Sequence, residues 1–325
     1  MSLTEAGYYL DSFLAPLAPV MERNDVTDIW INRPGELWVE SIGGGIERMV
    51  EPNLDLKLLE RLAKQIAAHS SQGISRAQPL LAATLPDGSR VQVAAPPATR
   101  GGYAFAIRKH VSADLSLSDW KDAGAFDSAC GDTGIAVDNR ELRSVGGCEA
   151  AACLREAVRS RRNILVAGGT STGKTTFLNS LLAEVPEGER LILIEDTAEL
   201  HLKHENAVGL IAARGEESEA QVSMEDLLIA ALRMRPDRII LGELRGVEAF
   251  TFLRAVNTGH PGSMTTVHAD TPQRAIEQLA LLVLQAGSKL GRDDVRHYVR
   301  ESVDVFVQLE RRGGKRRVSQ VLTGS

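Results

Sequence analysis

Ile164-Leu165-Val166-Ala167-Gly168-Gly169-Thr170-Ser171-Thr172-Gly173-Lys174-Thr175-Thr176 is the stretch from which the rest of this chain is read. Its first four residues form an apolar run, as expected of a strand covered on both faces in a parallel sheet. The run enters Gly168-x-x-x-x-Gly173-Lys174-Thr175, the spacing of a phosphate-binding loop. Phe177-Leu178-Asn179-Ser180-Leu181-Leu182 then continues as an amphipathic helix. Strand, glycine-rich loop and helix stand in the order that phosphate binding needs. The glycines let backbone N–H groups close around phosphate oxygens, and the helix N-terminus adds partial positive charge. Gly168 to Thr176, that is Gly168, Gly169, Thr170, Ser171, Thr172, Gly173, Lys174, Thr175 and Thr176, are the candidate nucleotide cradle. Lys174 is expected at the β- and γ-phosphates of ATP, and the Thr175 hydroxyl on Mg²⁺.

Outward from this loop, the second half of the chain alternates strands with helices, the pattern of a parallel sheet with crossover connections. The strands are Ile164–Ala167, Leu191–Ile194, Arg238–Leu241 and Met264–Val267. Helices are expected near Glu149–Arg161, Lys174–Val185, Met224–Arg235, Val247–Asn257 and Pro272–Leu284, with a terminal hairpin (Val303–Leu309, Arg317–Leu322) around Gly313-Gly314. In such sheets ligands sit beyond the carboxyl ends of the strands. Three strands deliver chemistry there: Glu195-Asp196 and then Glu199, Gly242-Glu243 and then Arg245, and His268, with His260 just before its strand. Hydrolysis of a phosphoanhydride needs charge neutralisation, a held cation and an oriented water. Glu243 is the candidate for orienting or deprotonating water, with Glu195 the alternative base. Glu195, Asp196 or Glu199 is then expected to help hold Mg²⁺ through its waters, and His268 to sense the γ-phosphate by hydrogen bonding.

The first half reads differently. Short strand-like runs at Val26–Ile31, Leu37–Glu40, Ile46–Val50, Leu80–Leu85, Arg90–Ala94 and Tyr103–Arg108 surround one clear helix, Leu54–His69. This is an α+β domain on a small antiparallel sheet. Tyr8 to Met21 carries apolar residues at helical spacing and reads as a docking helix; association with a membrane surface is the alternative, without the basic polar face that would favour it. Residues 111–147, rich in Asp, Ser and Gly, read as a linker with one short helix near Leu117–Phe126. The expected division is therefore an N-terminal domain over 1–110, a linker over 111–147 and a C-terminal domain over 148–325.

With 325 residues, 43% apolar and 25% charged, the chain has an ordinary globular composition. A net charge of −6 argues against constitutive nucleic-acid binding, and the basic cluster Arg311, Arg312, Lys315, Arg316, Arg317 reads as a solvated hairpin tip. No apolar run approaches the roughly 20 residues of a membrane span, so the cytoplasm is expected. Cys130, Cys148 and Cys153 match neither a disulfide framework nor a zinc site.

Four segments together resemble the secretion ATPase superfamily, the motors of type IV secretion, type II secretion and type IV pili. They are the phosphate loop, Arg190-Leu191-Ile192-Leu193-Ile194-Glu195-Asp196-Thr197-Ala198-Glu199, Arg235-Pro236-Asp237-Arg238-Ile239-Ile240-Leu241-Gly242-Glu243-Leu244-Arg245 and Thr258-Gly259-His260-Pro261-Gly262-Ser263-Met264-Thr265-Thr266-Val267-His268-Ala269. Ile31-Asn32-Arg33-Pro34-Gly35-Glu36-Leu37-Trp38 and Phe105-Ala106-Ile107-Arg108-Lys109 are similar to the type IV secretion and conjugal-transfer branch. Two departures are Ser171-Thr172, where Gly-Ser is commoner, and Arg245-Gly246, where several relatives have Arg-Asp. The resemblance implies a RecA-like phosphate-loop ATPase domain with a smaller N-terminal α+β domain. It also implies a ring of six subunits and ATP bound between the two domains, with Arg245 and His260 part of the site. Arg108 and Arg90 match N-terminal arginines that approach the phosphates. The expected function is Mg²⁺-dependent ATP hydrolysis driving secretion machinery at the inner face of the bacterial inner membrane. A related pilus or type II secretion motor, a nucleic-acid translocase and a phosphotransferase are the competing readings.

Overall fold

The computed structural model describes residues 10–42, 44–70, 72–109, 114–129, 135–137, 140–212 and 222–324. Contacts divide the chain into two compact units, with the boundary between residues 111 and 112.

In the N-terminal unit, β1 (Val26–Ile31), β2 (Glu36–Ser41), β3 (Ile46–Val50), β4 (Leu80–Thr84), β5 (Arg90–Ala94) and β6 (Ala104–Arg108) form one sheet in the order β3-β2-β1-β6-β5-β4. Its pairings are antiparallel, as expected. The helix α1 (Leu56–His69) starts where the Asp55 carboxylate accepts the Leu58 N–H. Leu59, Leu62, Ala63 and Ile66 meet the alternate residues Ile29, Ile31, Val91, Val93, Phe105 and Ile107 in one core. The stretch 10–21 is helical, and Leu10, Leu14, Leu17 and Val20 are buried in the same core. Its apolar side is thus occupied by its own unit, in line with a docking helix.

The C-terminal unit contains α2 (Leu117–Asp122), β7 (Ile135–Val137), β8 (Arg140–Ser144), α3 (Gly147–Arg159), β9 (Ile164–Gly168), α4 (Lys174–Leu182), β10 (Leu191–Glu195) and β11 (Ala207–Ile211). It continues with α5 (Met224–Leu232), β12 (Arg238–Leu241), α6 (Glu248–Thr258), β13 (Met264–Val267), α7 (Pro272–Gln285), α8 (Arg292–Ser302), β14 (Val305–Arg312) and β15 (Lys315–Gly324). The sheet order is β11-β10-β12-β13-β9-β14-β15-β8-β7. From β11 to β14 every pairing is parallel, and β15, β8 and β7 extend the sheet antiparallel. Helices cover both faces. One core joins the strands to α5, α6, α7 and α8, and the other joins them to α2, α3 and α4. This is why β9, β10 and β12 are buried along their whole length.

The linker reading of 111–147 needs correction. Trp120 and Phe126 are buried against Phe177, with Trp120 and Phe177 in edge-to-face contact at 5.1 Å. The Trp120 indole donates to Ser180 Oγ at 2.9 Å. Ser116 and Asp119 close a capping box at the start of α2, and β7 and β8 join the nine-stranded sheet. Ser116 and Asp119, part of the composition that suggests a tether, serve a helix cap instead. Two further elements, β11 and α8, lie outside the sequence expectation. Helix α8 is mostly charged and buries only Val295, Val299, Arg300 and Ser302. Cys153 is a free thiol whose pKa burial raises; Cys130 lies outside the described residues.

Candidate functional site

Parallel strands bring their carboxyl ends to one edge, and the neighbours β10, β12, β13 and β9 deliver the candidate residues there. The loop after β9 is shaped tightly. A Cβ on Gly168 would lie 2.4 Å from Thr172 Oγ1 and 3.2 Å from Leu309 Cβ. The Thr172 hydroxyl donates to the Gly169 carbonyl at 2.9 Å. Gly173 caps α4 with φ +90°, and Ser171 holds φ +59°. Lys174 Nζ donates to the carbonyls of Gly168 and Gly169 at 3.1 and 3.3 Å and lies 3.7 Å from Glu243 Oε1.

The other carboxylates take distinct places. Thr175 Oγ1 donates to Glu199 Oε2 at 2.9 Å. Glu195 is buried, and its Oε1 accepts the N–H groups of Glu199 and Leu200, both at 2.8 Å. Glu195 therefore builds the turn that presents Glu199. Asn179 on α4 secures the same turn, donating to Glu199 O at 3.1 Å and accepting from His201 N at 2.9 Å. Sequence reasoning overlooks Asn179, whose only signal is a polar residue on the buried side of an apolar helix.

Arg245 binds Glu243 through Nε at 2.7 Å and through Nη2, and it reaches Asp196 Oδ2 at 3.2 Å. Burial opposes its charge, but the Glu243 and Asp196 carboxylates outweigh burial and raise the guanidinium pKa. The Gly242–Leu244 turn is pinned on both sides: Gly242 N donates to Ile194 O and Leu244 N to Thr266 O, each at 2.9 Å. The Thr175 hydroxyl and the Glu199 carboxylate beside it are hard oxygen ligands of the kind Mg²⁺ takes, whereas the Asp196 carboxylate is drawn to Arg245.

His268 is exposed at the end of β13 and lines a groove of about 400 Å³ with Asp270, Arg274, Glu277 and Arg292. Among the described residues no hydrogen bond joins it to the loop, although a Cβ on Gly169 would lie 3.7 Å from the neighbouring Asp270 Oδ1. His260 is not brought to the loop. Its Nδ1 lies 3.2 Å from Pro236 O, and both residues precede their strands, at the opposite edge of the sheet. Arg90 and Arg108 belong to the N-terminal unit, directly opposite each other on β5 and β6. In the C-terminal hairpin Arg311, Arg312 and Lys315 are exposed as a solvated tip requires, but Arg316 leans over Gly173.

A family model described as "Type II/IV secretion system protein" matches residues 137–313, just over half of the chain. The type IV secretion system protein VirB11 of Bartonella henselae is 38% identical over 325 residues, covering 95% of this chain and 91% of the relative. The chain belongs to the type II/IV secretion system protein family. Within that family the type IV secretion system protein PtlH of Bordetella pertussis is also similar, 37% identical across 94% of this chain and 91% of its own length. The pilus retraction motor PilT, solved with bound ADP, shares the fold at a TM-score of 0.62 and 21% identity, covering 95% of this chain and 82% of its own. Family membership bears out the sequence reading of a phosphate-loop ATPase of the type IV secretion branch, with an N-terminal α+β domain followed in sequence by an α/β domain.

Proposed function

We propose that the chain is a Mg²⁺-dependent ATPase that powers a type IV secretion or conjugal-transfer machine as a ring of six, in the cytoplasm at the inner face of the bacterial inner membrane. The observation that supports the chemistry best is the position of Glu243. It stands 3.7 Å from the loop lysine and is gripped by Arg245, at the same strand edge as the glycine loop. In this reading the loop amides and Lys174 bind the phosphates, while Thr175 with Asp196 and Glu199 holds the cation. Mg²⁺, when bound, supplies charge neutralisation to the phosphate oxygens. Glu243 orients the attacking water and accepts its proton, with Arg245 holding its carboxylate in place. Glu195 acts one step back, by positioning Glu199. His268 senses the γ-phosphate; Arg90 and Arg108 carry planar guanidinium groups of the kind phosphate oxygens favour. No direct nucleic-acid contact is part of this function.

Glu243→Gln tests the assignment. It keeps size and hydrogen bonding and removes the charge, so ATP binding is expected to persist while turnover falls by roughly 10²-fold or more. Binding and hydrolysis are measured on one preparation. Turnover near the wild-type rate would move the base elsewhere, and loss of ATP binding would make Glu243 a metal or structural residue.

A further inference from the structure

We infer that Arg316, on the C-terminal hairpin, is an additional phosphate-binding residue of the nucleotide site, supplied by the same chain as the glycine loop. The inference rests on the nucleotide-binding reading of that loop and extends it to an element that carries no part of the recognised motifs.

Three observations carry it. First, β14 is the parallel neighbour of β9, with Leu309 paired to Gly168, so the hairpin beyond Leu309 continues past the point where the glycine loop begins. Second, the register of the hairpin aims Arg316. Leu309 pairs with Val318 and Arg311 with Arg316, two residues further along each strand. Side chains two residues apart on a strand share a face. Leu309 and Val318 pack in the core that contains Phe177 and Leu178 of α4. Arg311 and Arg316 therefore project on the side of the sheet occupied by the phosphate-loop helix. Third, the approach is close. A Cβ added to Gly173 would lie 2.9 Å from Cδ of Arg316, 3.2 Å from Nε and 3.5 Å from Cζ.

The guanidinium thus lies over the residue that caps α4, where backbone N–H groups and the helix dipole already favour an anion. A cross-strand arginine pair at this place concentrates positive charge in a chain of net charge −6. The planar fork of an arginine suits phosphate oxygens, and its charge-assisted hydrogen bonds are among the stronger ones. The bare Gly173 is what allows the arginine to sit there: a side chain at that position would fill the space the Arg316 stem occupies. Arg316 is consequently assigned to the polyphosphate of the nucleotide, and the hairpin to the site as its lateral wall.

The test is calorimetric titration with ADP and with ATP, on the full-length wild-type chain and on Arg316→Met, Arg316→Lys, Arg312→Met and Lys174→Ala. Methionine keeps most of the stem over Gly173 and removes the charge; Arg316→Gln replaces it if the methionine variant fails to fold. The expected result is a loss of affinity of roughly tenfold or more for Arg316→Met, the order of a lost charge-assisted contact, with lysine partly restoring it. Arg312→Met, at the exposed tip, is expected to bind as wild type. Wild-type affinity in the folded Arg316→Met or Arg316→Gln protein overturns the proposal, as does an equal loss in Arg312→Met, which would mark a diffuse charge effect. Lys174→Ala separates the two levels. If Lys174→Ala binds like wild type, the loop reading itself falls; if only Arg316→Met does, the loop reading stands and the hairpin is excluded.

Discussion

Ser171 and Gly173 show how much a single φ angle weighs in this loop. Ser171 stands where glycine is common in related loops, and the backbone path is retained at φ +59°. A residue with a Cβ pays about 1–2 kcal/mol for that left-handed conformation. Glycine would remove the strain but loses about 0.5–1 kcal/mol through its larger unfolded-state entropy. Ser171→Gly is therefore expected to gain up to about 1.5 kcal/mol, a rise of a few degrees in the thermal midpoint of the ligand-free protein. A fall in the midpoint would mean that the serine side chain makes a stabilising contact larger than the strain. Lys174→Ala makes the complementary prediction: the fold stays intact, each lost charge contact weakens ATP binding by about 1.5–3 kcal/mol, and turnover disappears. Wild-type hydrolysis by the folded variant would remove Lys174 from the site. At this scale the sequence is informative where spacing encodes backbone, as in Gly168 to Thr175, and uninformative where two carboxylates stand four residues apart. Glu195 and Glu199 look equivalent in a string of letters. Only the folded turn shows one accepting two amides and the other accepting the Thr175 hydroxyl.

Between elements, a buried polar tie lies at the edge of the sheet away from the loop. Arg238, at the start of β12, is fully buried. It binds Glu189 through Nε at 2.6 Å and Nη2 at 2.9 Å, and it donates to Val158 O at 2.7 Å. One side chain thus joins β12, the end of α3 and the approach to β10. Removing one partner of a buried pair strands the other charge, a loss of about 3–5 kcal/mol. Glu189→Gln should unfold at clearly lower urea concentration while its ATP affinity, once folded, is unchanged. An unaltered midpoint would show that the pair is electrostatically idle. The hydrogen bonds from Arg238 also hold the Glu189 carboxyl below its ordinary pKa. A depressed carboxylate contributes its full stability above the unfolded-state pKa, about 4.3, and loses it as pH falls through the lower folded value. The stability gap between wild type and Glu189→Gln should accordingly be widest near neutrality and close in acid; a gap that widens below pH 4 would contradict the assignment. Elements built on strong periodicity, such as α1, β9 and α7, are legible in the sequence. What an element packs against is less legible: α2 is readable as a short helix but looks like part of a linker until Trp120 finds Phe177 and Ser180, and α8 has too few apolar residues to announce a buried face.

For the molecule as a whole, the proposed ring is the feature least written in the chain, because no repeat or periodicity encodes six copies; it is an expectation drawn from the family resemblance alone. The catalytic assignment nevertheless makes it measurable. If nucleotide binds the assembled state better than the free subunit, ligand stabilises the assembly by mass action, and hydrolysis continually removes that stabilisation. Light scattering in the presence of ATP and Mg²⁺ should then give a mass near six subunits for wild type. Glu243→Gln, which retains ATP because Lys174 and the loop are untouched, should hold that mass longer after ATP is added and at lower protein concentration. Lys174→Ala should shift toward smaller species under the same conditions. A protein that stays monomeric at every concentration with ATP and Mg²⁺ present would exclude the ring. An assembly indifferent to both substitutions would separate ring formation from the nucleotide cycle, and leave the ATPase reading to stand on the hydrolysis data alone.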